Sequence, residues 1–123
     1  MITGIVNAFH EAIIRLPVQT NGASAQEIEV VLDTGFSGSL TLPPNLISAL
    51  GLPFRSRGSA ILADGSQAHF DIHVATVVWN GLPRNILVEA ADTNPLVGMS
   101  LLYGHDIRIQ AVDGGRVTIE RLQ

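Results

Sequence analysis

In Val30-Val31-Leu32-Asp33-Thr34-Gly35-Phe36-Ser37-Gly38, a run of branched apolar residues stops on a carboxylate, a small hydroxyl and a glycine. Such a run has the composition of a buried strand. Burying a carboxylate costs several kcal/mol unless hydrogen bonds or a proton compensate it, so an acid at the mouth of a buried strand is a candidate for chemistry. Asp, Thr and Gly are also ordinary turn residues, and a turn cap accounts for the tripeptide equally well on its own. What surrounds the stretch has to separate the two readings.

Working outward, Glu27-Ile28-Glu29-Val30 alternates polar and apolar before the pattern turns fully apolar at Val31-Leu32, as in a strand passing from a wet surface into the interior. Asn21-Gly22, Asp64-Gly65, Asn80-Gly81 and Asp113-Gly114 punctuate the chain between apolar or alternating segments. Tight hairpin turns need positive φ, which Asn, Asp and Gly accept most cheaply, so these pairs predict a mostly β protein. Strands are expected over 2–6, 12–18, with Pro17 marking an edge or strand end, and 39–42. A long hairpin should run out over 54–62 and back over 67–79, followed by strands over 85–90 and 96–98 and a final hairpin through Asp113-Gly114-Gly115. Pro43-Pro44 before Asn45 to Leu50, with Gly51 just past the end, predicts a short helix, and Met99 to Tyr103 stopped by Gly104 predicts another. The tip residues Ala63, Asp64, Gly65 and Ser66 offer little to bury, so that end of the long hairpin should project and move.

The 123 residues fit one domain spanning 1–123, with no internal repeat and no low-complexity segment. Hydrophobic residues make up 46% and aromatics only 5%, so the core must be built mainly from Val, Ile, Leu and Ala. The absence of cysteine excludes disulfides, thiolate metal sites and a cysteine nucleophile. A net charge of −4 with scattered basic residues argues against nucleic acid as a partner. Met1 to Asn7 lacks a basic segment followed by an apolar core, and no apolar run approaches the roughly 18 residues of a membrane span. A cytoplasmic protein with no membrane contact is the expectation.

The order of buried strand, Asp-Thr-Gly, short strand, long mobile hairpin, and apolar-apolar-Gly before a short helix resembles the retropepsin-like aspartic proteases. The resemblance runs from Ala25 to Tyr103. It is carried by Leu32-Asp33-Thr34-Gly35-Phe36-Ser37-Gly38 and by Asn94-Pro95-Leu96-Val97-Gly98-Met99-Ser100-Leu101-Leu102. It implies a closed, barrel-like β fold with one or two short helices, and an aspartic endopeptidase that needs neither metal nor organic cofactor. Asp33 would be the catalytic carboxylate, Thr34 would hydrogen-bond across to a partner loop, and Gly35 would let substrate backbone approach. Ala63, Asp64 and Gly65 would belong to a flap closing over bound peptide. Phe36, Ser37, Leu96 and Val97 would line the substrate side, with Leu96, Val97 and Gly98 backing the catalytic loop.

Two carboxylates a few ångströms apart cannot both ionise, so such a pair shares a proton and divides the roles of base and acid. This chain has one Asp-Thr-Gly. Given the resemblance, the second carboxylate has to come from a second copy, which predicts a two-fold homodimer acting on a peptide or protein substrate. The alternative is a peptide-binding or assembly module that keeps the fold and cleaves nothing. Asp64, at a hairpin tip, and Asp92, in a polar loop, lack the apolar-strand context and read as turn residues.

The chain departs from the viral pattern in three places. Phe36 stands where a small residue is common, Ser37 where a second Asp often follows, and Met99 where Arg often follows the glycine, so the viral Asp-Arg brace is missing at both ends. Other candidates are weaker. Gly35 to Ser39 looks like a nucleophile elbow, but Ser39 takes the place of the final glycine. His69 and His73 on a strand lie about 13 Å apart, too far for one metal. His10 and His105 are isolated in the sequence, and Trp79 reads as cover for the core or an edge.

Overall fold

Strand and turn alternate along the chain where the Asn-Gly and Asp-Gly pairs punctuate it. The computed structural model describes every residue except Ala23. In chain order the elements are β1 (Ile2–Val6), β2 (Ala12–Gln19), β3 (Ala25–Leu32), β4 (Leu40–Leu42), α1 (Pro44–Leu50), β5 (Phe54–Ile61), β6 (Gln67–Trp79), β7 (Leu82–Ala90), β8 (Leu96–Val97), α2 (Met99–Leu102), β9 (His105–Ile109) and β10 (Arg116–Arg121). Asn80 at φ 52° and Gly81 at φ 78° form the two-residue turn from β6 to β7, both in the left-handed region that a hairpin of this kind demands. α1 ends on Gly51 at φ 68°, whose N–H bonds back to the helix.

The strands form one sheet in the order β5-β6-β7-β4-β8-β3-β2-β1-β10-β9, and β2 also meets β6 through Val18 and Val77. That extra pairing closes β2, β3, β8, β4, β7 and β6 into a ring. Its interior holds Val18, Val30, Leu40, Leu42, Val77, Val88 and Val97, all fully buried, with Trp79 at 3% exposure. Aliphatic side chains fill the core almost alone, as the composition requires. β1 pairs with β10 from Ile2 opposite Ile119 to Ile5 opposite Arg116, so the two ends of the chain are tied to each other. β5 lies at the far edge of the sheet, paired with β6 alone.

Pro17 does not end its strand. β2 continues to Gln19, and Pro17 lies opposite Glu27 of β3. β1 pairs with β2 only over Ala12 to Ile14, so Pro17 falls where β2 has shed that neighbour and a missing N–H costs little. β7 starts at Leu82, directly after its tight turn. β9 takes in His105 and Asp106, ahead of the alternating Ile107 to Ile109. No helix among the described residues is long and apolar enough to cross a membrane.

Candidate active site

β8 is the element that places Asp33. It lies parallel to β3, with Val31 opposite Leu96 and Leu32 opposite Val97, and antiparallel to β4, with Leu40 opposite Val97. The segment from Asp33 to Ser39 therefore has to cross the end of β8, where α2 begins. The Asp33 N–H donates to Val97 O at 2.8 Å, the last rung before the chain turns away. Gly35 N–H then donates to Asp33 Oδ1 at 3.0 Å and Phe36 N–H to Asp33 O at 3.2 Å, closing a tight turn around the carboxylate.

The loop and the start of α2 satisfy one another. Met99 N–H donates to Phe36 O at 2.7 Å, Ser100 N–H to Gly38 O at 3.1 Å, and Gly98 N–H to Ser39 O at 3.0 Å. The Ser100 hydroxyl donates to Ser37 O at 2.5 Å. A helix of only four residues with no side-chain cap would ordinarily leave its first N–H groups unpaired; here the carbonyls of the loop take them up. Arg84 reaches over from β7 to the carbonyls of Ser100 and Leu101 at 3.3 and 3.4 Å and satisfies the other end. The loop and α2 are thus joined without an ion pair.

Phe36 owes its place to two glycines. A Cβ on Gly38 or on Gly98 would run into the Phe36 ring, and one on Gly98 would also meet the carbonyl oxygens of Gly38 and Phe36. The half-buried ring occupies the space that those absent side chains leave. Asp33 is half-buried, and among the described residues its second carboxylate oxygen accepts no hydrogen bond and no cation lies within 4.0 Å. Thr34, Gly35 and Ser37 are exposed beside it. Leu96 is half-buried, whereas Val97 is fully buried: its carbonyl holds Asp33 and its side chain packs in the core, with no surface left for a substrate.

Ala63, Asp64 and Gly65 form the exposed tip of the β5–β6 hairpin. Asp64 Oδ1 accepts from the backbone N–H of Ser66 at 2.9 Å and from its hydroxyl, and these two bonds hold the Asp64 carboxyl below its ordinary pKa. No hydrogen bond joins the tip to the Asp33 loop among the described residues. Of the histidines on β6, His73 bonds through Nδ1 to Leu52 O at 3.0 Å and sits edge-on to Phe54, while His69 is exposed. No group of three metal-ligating side chains occurs among the described residues.

His105, isolated in sequence, is not isolated in space. Its Nε2 accepts the indole N–H of Trp79 at 3.1 Å and lies 2.9 Å from Asn80 Nδ2, and its Nδ1 faces Tyr103 O at 3.0 Å. The Trp79 bond requires a bare Nε2, so the ring proton is on Nδ1 and donates to Tyr103.

Sequence reasoning missed Glu89. It ends an apolar run, Ile86-Leu87-Val88, and its Oε2 stands against Gly38 beside the Phe36 ring. Burial raises its carboxyl above the ordinary value. A charged residue inside an apolar strand was the available signal.

No protein-family model matches the chain, and no curated protein sequence does. Among the solved structures that share its architecture are two proteases. A retropepsin-like aspartic protease from Rickettsia conorii superposes with a TM-score of 0.60 at 20% identity, covering 99% of this chain and 91% of that one. The EIAV protease complexed with the inhibitor HBY-793 superposes with a TM-score of 0.56 at 19% identity, covering 78% of this chain and 88% of that one.

Proposed function

We propose that this chain, whose fold is that of the retropepsin-like aspartic proteases, is an aspartic endopeptidase that works as a two-fold homodimer with one Asp33 from each copy. One observation carries the reading. A half-buried carboxylate sits at the end of a core strand, fixed by the bonds around it, yet no cation and no second carboxylate pairs with it among the described residues. An acid so placed is half of a proton-sharing pair. A second Asp33 across a two-fold axis supplies the other half.

In that arrangement the ionised carboxylate takes a proton from a bound water, and the water oxygen attacks the scissile carbonyl. The protonated carboxylate donates to the carbonyl oxygen, giving a tetrahedral diol. The proton taken from water then passes to the leaving amine as the C–N bond breaks, and a diol hydroxyl returns its proton to the other carboxylate. Thr34, exposed next to Asp33, is available to bond across to the partner loop, and Gly35 leaves room for substrate backbone. The β5–β6 hairpin acts as the flap, its tip folding over the peptide to exclude water.

Incubation with a diverse peptide mixture from pH 3 to 7, with products identified by mass, tests the proposal. Wild-type protein should cleave and Asp33→Asn should not. Cleavage that survives the substitution overturns the mechanism, and peptide binding with no cleavage at any pH marks a module that holds peptides without cutting them. Because one carboxylate must keep a proton, activity should fall as pH rises past the upper apparent pKa of the pair, and an optimum above about pH 8 is incompatible with it. Sedimentation at high concentration, with and without a peptide inhibitor, reads the dimer.

A further inference from the structure

The loop that carries Asp33 meets a second acid at its far end, against Gly38. Glu89 lies on β7, opposite Ile72 of β6 on one side and Thr41 of β4 on the other. A cleft of about 360 Å³ runs from Gly38, past Ser100 and Glu89, to Ile72 at the base of the β5–β6 hairpin. Among the described residues, the only charged ones on its walls are Glu89 and Arg84. Arg84 spends its guanidinium on the carbonyls of Ser100 and Leu101, and no ion pair joins it to Glu89 among the described residues. Glu89 is half-buried, and this partial burial alone accounts for the upward shift of its carboxyl, with no cation beside it to oppose the shift.

We propose that Glu89 is a specificity-determining residue that recognises a cationic side chain, arginine or lysine, of the peptide lying in this cleft. A half-buried carboxylate without a cation gains most from a ligand that brings both a positive charge and N–H donors, because these replace the hydration that burial took away. The absence of side chains at Gly38 opens the approach, since a Cβ there would run into Glu89 Oε2. Ile72 and Leu87, which also line the cleft, suit the aliphatic stem of a long basic side chain. This inference rests on the proposed peptidase site, whose Asp33 loop supplies Gly38 and Ser39 to the cleft, and names the substrate class that the cleft prefers.

The test compares peptides that carry arginine with peptides that carry citrulline, its neutral isostere, at each position in turn. Both cleavage rate and the binding of uncleavable reduced-amide versions are measured. At one position wild-type protein should favour arginine about tenfold near pH 7, and the ratio should shrink toward one as acidification protonates Glu89. In Glu89→Gln the ratio should be near one at every pH. Absence of an arginine preference in wild-type protein overturns the inference, as does a preference that persists unchanged in Glu89→Gln. The wild-type comparison across pH stands even where that variant folds poorly. Binding with an arginine preference but without cleavage would sink the endopeptidase and leave the Glu89 site standing. A protein that neither cuts nor binds any of the peptides overturns both.

Discussion

The segment from Asp33 to Ser39 and the segment from Leu62 to Ser66 are both short turns between strands, and both contain an Asp whose side chain caps the N–H two residues on. They differ in what lies beneath them. The first is bonded across to Val97, Gly98, Met99 and Ser100 on a distant part of the chain. Among the described residues the second bonds only to itself, through Gly65 to Leu62, Leu62 to Ser66 and Ser66 to Asp64. Equivalent local chemistry therefore yields a fixed carboxylate in one place and a free-standing tip in the other. Tertiary hydrogen bonds, rather than the turn residues, decide which Asp is held in place.

The sharpest way to break that contrast is to remove the fit between loop and α2. In Gly98→Ala the new methyl would run into the carbonyl oxygens of Gly38 and Phe36, backbone atoms that accept from Ser100 and Met99. Neither can move without losing a bond. The expected loss is about 3 kcal/mol or more in denaturant unfolding, about 10 °C or more in melting temperature, together with all peptide cleavage. By contrast, a methyl on Gly65 at the tip meets nothing within 4 Å and carries only the strain of its φ of 84°, about 1 kcal/mol. Equal costs at the two glycines would show that the loop is no more constrained than the tip.

This difference also separates what could be read in advance from what could not. Turns at Asn80-Gly81 and Asp64-Gly65 are legible because positive φ is a local demand that few residues meet. Asp33 and the β8–α2 segment are legible because an acid ending an apolar strand, and a glycine between an apolar pair and a helix, are patterns a few residues long. The fit of Phe36 over Gly38 and Gly98 is not, because it depends on a ring and on a glycine far along the chain coming together. The same holds for Trp79 with His105, 26 residues apart, for Glu89 against Gly38, and for the ring closure at Val18 and Val77. Pro17 reads in sequence as an edge or a strand end, and only the assembled sheet decides for the edge, because whether a missing N–H matters depends on which strands flank it.

A smaller perturbation sharpens the comparison without rebuilding the loop. Ser100→Ala deletes the hydroxyl that donates to Ser37 O and keeps every backbone bond. About 1 kcal/mol of stability should be lost, the usual contribution of one such bond. The effect on catalysis should exceed the effect on stability, because the freed carbonyl lies four residues from Asp33 on the same loop. Pairing urea unfolding with kcat on a single peptide checks this. A drop in stability with kcat unchanged would mean that the N–H bonds of Met99 and Ser100 suffice to place the carboxylate.

The smallest expected effect lies at the tip. Asp64 is fully exposed, and the Ser66 hydroxyl and N–H hold its carboxyl below the ordinary value near 3.8. A lowered folded-state pKa means that the turn is supported above the unfolded-state value and loses that support as pH falls through the lowered one. Exposure confines the consequence to the turn itself. Amide exchange at Gly65 and Ser66 should quicken below about pH 4, after correction for the intrinsic pH dependence, while global unfolding stays unaffected. Asp64→Asn should show the quicker exchange already at neutral pH. If acidification instead loosened β5 and β6 down to Phe54 and His73, the hairpin would open as one unit from its base. The tip would then not move independently of the strands that carry it, as the proposed flap requires.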